Sequence, residues 1–133
     1  MNVKRFIVAS VAVYIVFQAL DFIIHGIVLA DTYKALSNVW RPDMMSLMWI
    51  FYAAGLVFAV LFVYVFTKGY EGKGILEGVR YGIIMGLFME LIGTFGQYVL
   101  YPIPFLLSLQ WFIYGMIEFI IAGIVVASLY RSK

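Results

Sequence analysis

The chain contains no cysteine, and its 133 residues include only one histidine and three prolines. Without cysteine it cannot form disulfides, use a thiol nucleophile or hold an iron–sulfur cluster. Charged residues make up 12% of the chain, whereas soluble domains typically contain about 25%. The net charge of +2 gives no basic face for neutralising phosphates, so we expect no nucleic acid as a partner.

Apolar residues dominate what is present. The chain is 65% hydrophobic and 19% aromatic, and its mean hydropathy is +1.04. A globule of this size has too little interior to hide that much apolar surface from water. The surrounding solvent is therefore expected to be a lipid bilayer, and a soluble enzyme is excluded.

Four apolar stretches are long enough to cross a bilayer, which requires about 20 residues in a helix. They cover about residues 6–29, 44–66, 79–100 and 105–129. Because they occupy most of the chain, we predict one transmembrane domain over residues 1–133. The predicted fold is all-α, an integral membrane four-helix bundle with antiparallel up-down topology. The second stretch has no charged residue after Asp43, which favours the largest share of lipid contact for it.

The basic residues predict an orientation. One side of the membrane would carry Lys4, Arg5, Lys68, Lys73, Arg80, Arg131 and Lys133, and the other only Lys34 and Arg41. The positive-inside rule then makes both termini cytoplasmic, and we expect a multi-pass protein of the inner (cytoplasmic) membrane. The outer loop is expected to hold a short interfacial helix over about 31–40, with Tyr33 and Trp40 at headgroup level.

Three acids and the histidine lie inside the apolar stretches, namely Asp21, His25, Glu90 and Glu118. An acid at the centre of a membrane helix costs about 2.5 to 3.5 kcal/mol on insertion scales. Such residues usually face a bundle interior and mark functional pathways. No lysine or arginine lies at this depth, so the three carboxyls require protons or a cation.

The polar residues follow helical spacing in three of the four stretches. The three sets are Ser10, Tyr14, Gln18, Asp21 and His25; Gly82, Gly86, Glu90, Gly93 and Gln97; and Ser108, Trp111, Gly115, Glu118 and Ala122. Each set lies in a narrow stripe on one helix face. We expect Gln18, Tyr14 and Gln97 to support the four ionisable groups. Small residues let helix backbones approach closely, which predicts helix packing at Gly78, Gly82, Gly86, Gly93 and Gly115.

These stripes favour a site that binds or relays a cation, either a proton or a divalent metal ion, with a possible connection to transport. Asp21, His25, Glu90 and Glu118 are its candidate ligands, and a homo-oligomer is expected if the site forms part of a path. Two alternatives stay open: an accessory or assembly subunit of a larger membrane complex, and a lipid- or quinone-binding protein or small membrane enzyme. Neither H-E-x-x-H nor G-x-S-x-G occurs, so the sequence gives little support for an enzyme.

Several short motifs carry a family resemblance. They are His25-Gly26, the tryptophan–proline turn Trp40–Pro42, the segment KGYEGKGILEGVRYGIIMG from Lys68 to Gly86, and Ala122-Gly123. In these features the chain resembles small four-helix integral membrane proteins of bacteria that belong to families of unknown function. The resemblance implies a bacterial inner-membrane protein and implies no activity or ligand.

Overall fold

The structure, a computed structural model, describes residues 1–131, and over this range every regular element is helical. Five α-helices follow one another along the chain: α1 (Val3–Ile23), α2 (Ala30–Ala35), α3 (Met48–Lys68), α4 (Ile75–Leu100) and α5 (Phe105–Leu129). A π-helical turn, Ile24–Val28, extends α1, and a 3₁₀ turn, Met44–Leu47, precedes α3. Lys133, which entered the orientation argument, lies outside the described residues.

The predicted all-α fold with four long apolar helices is confirmed. The segments Val3–Val28, Met44–Lys68, Ile75–Leu100 and Phe105–Leu129 are each long and apolar enough to cross a membrane, by length and composition. The short helix α2 has six residues, so it is shorter than the helix expected over 31–40. Helix α5 has the bounds predicted for the last apolar stretch, whereas α4 begins four residues before the predicted start at residue 79.

A folded loop explains the early start of α4. The buried carboxylate of Glu77 accepts hydrogen bonds from the backbone N–H groups of Glu71 (2.9 Å) and Lys73 (3.0 Å). Gly74, immediately before α4, has a φ of +80°, a conformation that glycine adopts without steric cost. The Arg80 guanidinium hydrogen-bonds the Glu71 carboxylate and holds the pKa of Glu71 below its ordinary value.

The closest helix contact joins α4 to α5 through glycines. A Cβ atom built on Gly82 would lie 2.6 Å from the Cα atom of Ile120, and one on Gly78 would collide with the backbone of Gly123. Contact positions fall along α5 as they rise along α4, so this pair of helices is antiparallel. Because apolar side chains gain nothing by leaving lipid for each other, close backbone packing of this kind is a main source of helix association in membranes.

Aromatic side chains fill the half of the bundle that holds the chain termini. The rings of Phe17, Phe58 and Phe119 pack edge to face, with centroids 5.4 to 5.8 Å apart. Phe62 packs against the same group, and its backbone oxygen accepts a hydrogen bond from the Tyr81 hydroxyl at 2.5 Å. This apolar core ties α1 and α3 to α4 and α5.

Two expectations about exposed surface need correction. The least buried long helix is α4, with 11% of its most apolar window buried against 22% for the second stretch, because its extensive packing is against α5. Gly93, expected to pack against a helix, meets no neighbouring helix within residues 1–131. A Cβ atom there would meet no atom within 4 Å.

The glycine contact predicts a position-dependent effect of alanine. Gly82→Ala forces a methyl group against the α5 backbone, and overpacking of this kind costs about 1–3 kcal/mol. Gly69→Ala is the control, because a Cβ at Gly69 would meet no atom within 4 Å and its φ of −108° suits alanine. Denaturation in detergent should show a lower free energy of unfolding for Gly82→Ala and no loss for Gly69→Ala. Equal losses would contradict the contact.

Candidate functional site

A cavity of about 230 Å³ lies between α1, α4 and α5. All four predicted ionisable site residues line it: Asp21 from α1, His25 from the π-helical turn, Glu90 from α4 and Glu118 from α5. The polar stripes of three helices therefore meet within one chain. The two halves of the bundle differ in character, since the half with the chain termini is filled by aromatic rings and the half next to α2 holds this cavity.

Three of these residues form the tightest group. One ligand atom each from Asp21, His25 and Glu118 lie within 4.8 Å of one another, and His25 Nε2 is 3.9 Å from Asp21 Oδ1. The Glu118 residue is 7% exposed, whereas the His25 and Asp21 side chains are 44% and 47% exposed. Within this group the acid from α5 is therefore buried, whereas the two side chains from α1 and the π-helical turn are partly exposed.

Glu90 reaches the cavity because Gly115 leaves room for it. A Cβ atom on Gly115 would lie 2.5 Å from the Glu90 carboxyl carbon, so any larger residue there would displace the acid. The predicted packing role of Gly115 thus takes the form of a contact with a functional side chain. The Thr94 hydroxyl donates a 2.7 Å hydrogen bond to the Glu90 backbone oxygen one helical turn away.

A π-helical turn holds His25. The Leu29 N–H donates to the Ile24 backbone oxygen at 2.8 Å, five residues back instead of four. Single π-turns within α-helices occur frequently at functional sites. Here the turn ends the first long helix and leads directly into α2.

Tyr33 of α2 connects this turn to α5. Its hydroxyl lies 2.5 Å from His25 Nδ1 and accepts a 2.7 Å hydrogen bond from Trp111 Nε1–H. The rings of His25 and Tyr33 are stacked, with an interplanar angle of 16°. Burial raises the pKa of Tyr33 to about 12, and the Asp21 charge acts in the same direction, against the Trp111 hydrogen bond. The phenol therefore keeps its hydrogen at neutral pH.

The charges in the cavity are unbalanced. Among the described residues that line it there are three acids and no lysine or arginine. Carboxylates in an apolar surrounding cannot all stay ionised without compensating positive charge. The cavity therefore requires bound protons or a bound cation.

The three expected supporting residues do not line this cavity. The Tyr14 hydroxyl donates to the backbone oxygen of Tyr52 at 3.0 Å, and Gln18 Nε2 lies against Gly55 of α3. The reason is that α1 contacts both α3 and α5, so its polar stripe divides between two neighbours. Gln97 is exposed on α4 and is not among the lining residues.

Two residues that line the cavity were not predicted from the sequence. Thr94 and Tyr114 line the cavity, and each lies four residues from an acid, Thr94 after Glu90 and Tyr114 before Glu118. That spacing places them on the same helix faces as the acids, so it is a signal that finds them. Tyr33 was expected at headgroup level, and its contact with His25 has no counterpart in the local sequence pattern.

Comparison with known proteins supplies no family: no family model, no curated protein and no solved structure matches the chain. The resemblance to small bacterial membrane proteins stays a prediction. The function must accordingly be argued from the chemistry of the cavity.

Proposed function

We propose that this is an integral membrane protein that binds a divalent metal cation in the cavity between α1, α4 and α5. One observation carries the proposal. One ring nitrogen of His25 and one carboxylate oxygen each of Asp21 and Glu118 lie within 4.8 Å of one another. His25 Nε2 is 3.9 Å from Asp21 Oδ1, while Nδ1 lies against the Tyr33 hydroxyl.

The donor set supports a metal ion. One imidazole nitrogen and two carboxylates are ligands that Zn²⁺, Mn²⁺ and Fe²⁺ accept. Histidines that bind metals nearly always hold a hydrogen bond through the second ring nitrogen, which fixes the ring. Tyr33 supplies that bond. The cavity volume of about 230 Å³ leaves room for water ligands, since one water occupies about 30 Å³ in the liquid.

Charge balance supports the same conclusion. A divalent ion beside Asp21 and Glu118 would neutralise two carboxylates, and Glu90 would lie at the edge of the site to accept hydrogen bonds from metal-bound water. The competing interpretation is that the acids hold protons and serve as polar contacts between helices. The metal interpretation also accounts for the presence of His25 beside the two acids, because an imidazole nitrogen is a common metal ligand.

Metal titration tests the proposal. Purified protein stripped with a chelator should bind about one Zn²⁺ or Co²⁺ per chain in calorimetry. Glu118→Gln and Asp21→Asn each remove one ligand oxygen, and we expect each to weaken affinity by at least the 10- to 100-fold typical of losses around metal sites. Asp31→Asn is the matched control, because Asp31 is exposed and does not line the cavity.

Two results would overturn the metal proposal. One is the absence of stoichiometric binding by the unaltered chain. The other is an affinity in Glu118→Gln equal to that in Asp31→Asn. Either would leave the acids as proton-bearing contacts.

We also propose that the four long helices cross the inner membrane up and down, with both termini cytoplasmic. The distribution of basic residues supports this orientation. Contacts at the terminal end support it too, because Asn2 N–H donates to the Tyr130 hydroxyl at 3.4 Å and the Phe66 and Tyr130 rings are packed together. The start of α1 and the ends of α3 and α5 thus share one end of the bundle.

Labelling of single introduced cysteines tests this orientation. The chain has no cysteine of its own, so no native thiol contributes to the signal. Ser37→Cys and Gly69→Cys introduce a thiol at exposed positions of the two opposite loops. In intact cells a membrane-impermeant maleimide should label Ser37→Cys and leave Gly69→Cys unlabelled until the cells are opened. The reverse pattern would invert the orientation.

A second role, as a subunit of a homo-oligomer or larger membrane complex, is favoured by the C-terminal half of α4. Cβ atoms at Gly93 and Gly96 would meet nothing within 4 Å, and the Gln97 amide beside them is exposed. Small residues and amides are what membrane helices use to associate. We therefore propose that this surface contacts a helix of another chain, with a second copy as the simplest partner.

Cross-linking distinguishes the possible partners. In native membranes Gly96→Cys should form a disulfide-linked dimer under mild oxidation, whereas Val57→Cys on an exposed face of α3 should not. A Gly96→Cys adduct with a mass other than that of a dimer would identify a foreign subunit. Equal dimer yields for both variants would argue against a specific contact at α4.

A further inference from the structure

We propose that Tyr33, on α2, is the positioning residue of the cation site. The inference rests on the proposed function for the identity of the ligand. It adds that a segment outside the four long helices determines which nitrogen of His25 faces Asp21.

The contacts of the Tyr33 hydroxyl leave few choices. Trp111 Nε1–H can only donate, so it occupies one lone pair of the hydroxyl oxygen at 2.7 Å. The hydroxyl oxygen also lies 2.5 Å from His25 Nδ1, so either its hydrogen or its second lone pair is directed at that nitrogen. Tyr33 can therefore donate to Nδ1 or accept from Nδ1–H, and both arrangements leave Nε2 pointing to Asp21.

This dual capacity matches the two states of the site. Without a cation, the hydroxyl donates to Nδ1, and Nε2 carries the imidazole hydrogen towards Asp21. With a cation, the lone pair of Nε2 binds the ion, and Nδ1–H donates to the Tyr33 oxygen. The neutral imidazole carries one hydrogen in both states. A phenylalanine at this position could hold neither state, and an added carboxylate would increase the excess of negative charge.

The position of Tyr33 is itself fixed by α2 and the segment that follows it. Trp40 Nε1–H donates to the Tyr33 backbone oxygen at 3.1 Å, and the two rings meet edge to face at 5.6 Å. The Tyr33 N–H donates to the Leu29 backbone oxygen at 3.0 Å, directly after the π-turn. The backbone of Tyr33 is thus held on one side by Trp40 and on the other by Leu29.

The single histidine of the chain permits a direct test. Protein labelled with ¹⁵N-histidine gives signals from only two ring nitrogens, and their shifts report the tautomer with and without Zn²⁺. We expect one tautomer with hydrogen on Nε2 in the metal-free protein, and Zn²⁺ on Nε2 in the loaded protein. Tyr33→Phe should give a mixture of tautomers and a Zn²⁺ affinity lower by about 10- to 100-fold, as for other losses of a group that orients a metal ligand.

Two further variants keep the test decisive. Tyr101→Phe removes a hydroxyl from an exposed tyrosine and should change neither readout. Trp111→Phe keeps the Tyr33 hydroxyl but removes its donor, and should give a smaller shift of the same kind. It replaces Tyr33→Phe if circular dichroism shows that Tyr33→Phe does not fold.

The outcomes separate this inference from the proposed function. If the unaltered chain binds no Zn²⁺ but Tyr33→Phe disturbs the metal-free tautomer, the metal proposal fails and the positioning role stands. If Zn²⁺ binds and Tyr33→Phe keeps both the tautomer and the affinity, the positioning role is overturned. Zn²⁺ bound at Nδ1 would overturn it as well.

Discussion

The close approach of α4 to α5 is the contact on which the rest of the molecule depends. Gly78 and Gly82 bring the α4 backbone against that of α5, at a spacing that no side chain with a Cβ atom permits. In lipid the hydrophobic effect does not drive apolar helices together, so packing of this kind has to hold the pair. The same register sets Glu90 beside Gly115 and hence brings two acids to one cavity.

The cavity results from the way the helices are paired. Helix α4 packs against α5, whereas α1 packs against both α3 and α5. A space therefore remains between α1, α4 and α5 in the half of the bundle next to α2. Asp21, His25, Glu90 and Glu118 fill its wall without a lysine or arginine among the lining residues. A buried acid such as Glu118 without a basic partner is a cost to stability, and local violations of folding rules of this kind are expected at functional sites.

The short helix α2 gives the site a property that the long helices lack. A hydroxyl that can both donate and accept lies against Nδ1 of His25, and Nε2 lies 3.9 Å from Asp21. Groups that orient ligands are commonly as important to a metal site as the ligands themselves. Tyr33 therefore links the cavity to the segment between the first two long helices, which the aromatic pair Tyr33–Trp40 holds in place.

The sequence by itself determined that the chain is too apolar for water, that it forms four long helices, and which ionisable residues lie within them. Mean hydropathy and the length of the apolar stretches required four membrane-length helices, and helical spacing placed Asp21 with His25 and Glu90 with Gly93 on common faces. Only the tertiary structure decided which faces meet. It brought Asp21, His25 and Glu118 together, turned Tyr14 and Gln18 towards α3, left Gln97 exposed and brought Tyr33 to His25. The physical reason is that spacing within one helix fixes a direction around its own axis, whereas register and crossing between helices depend on contacts between residues far apart in the chain.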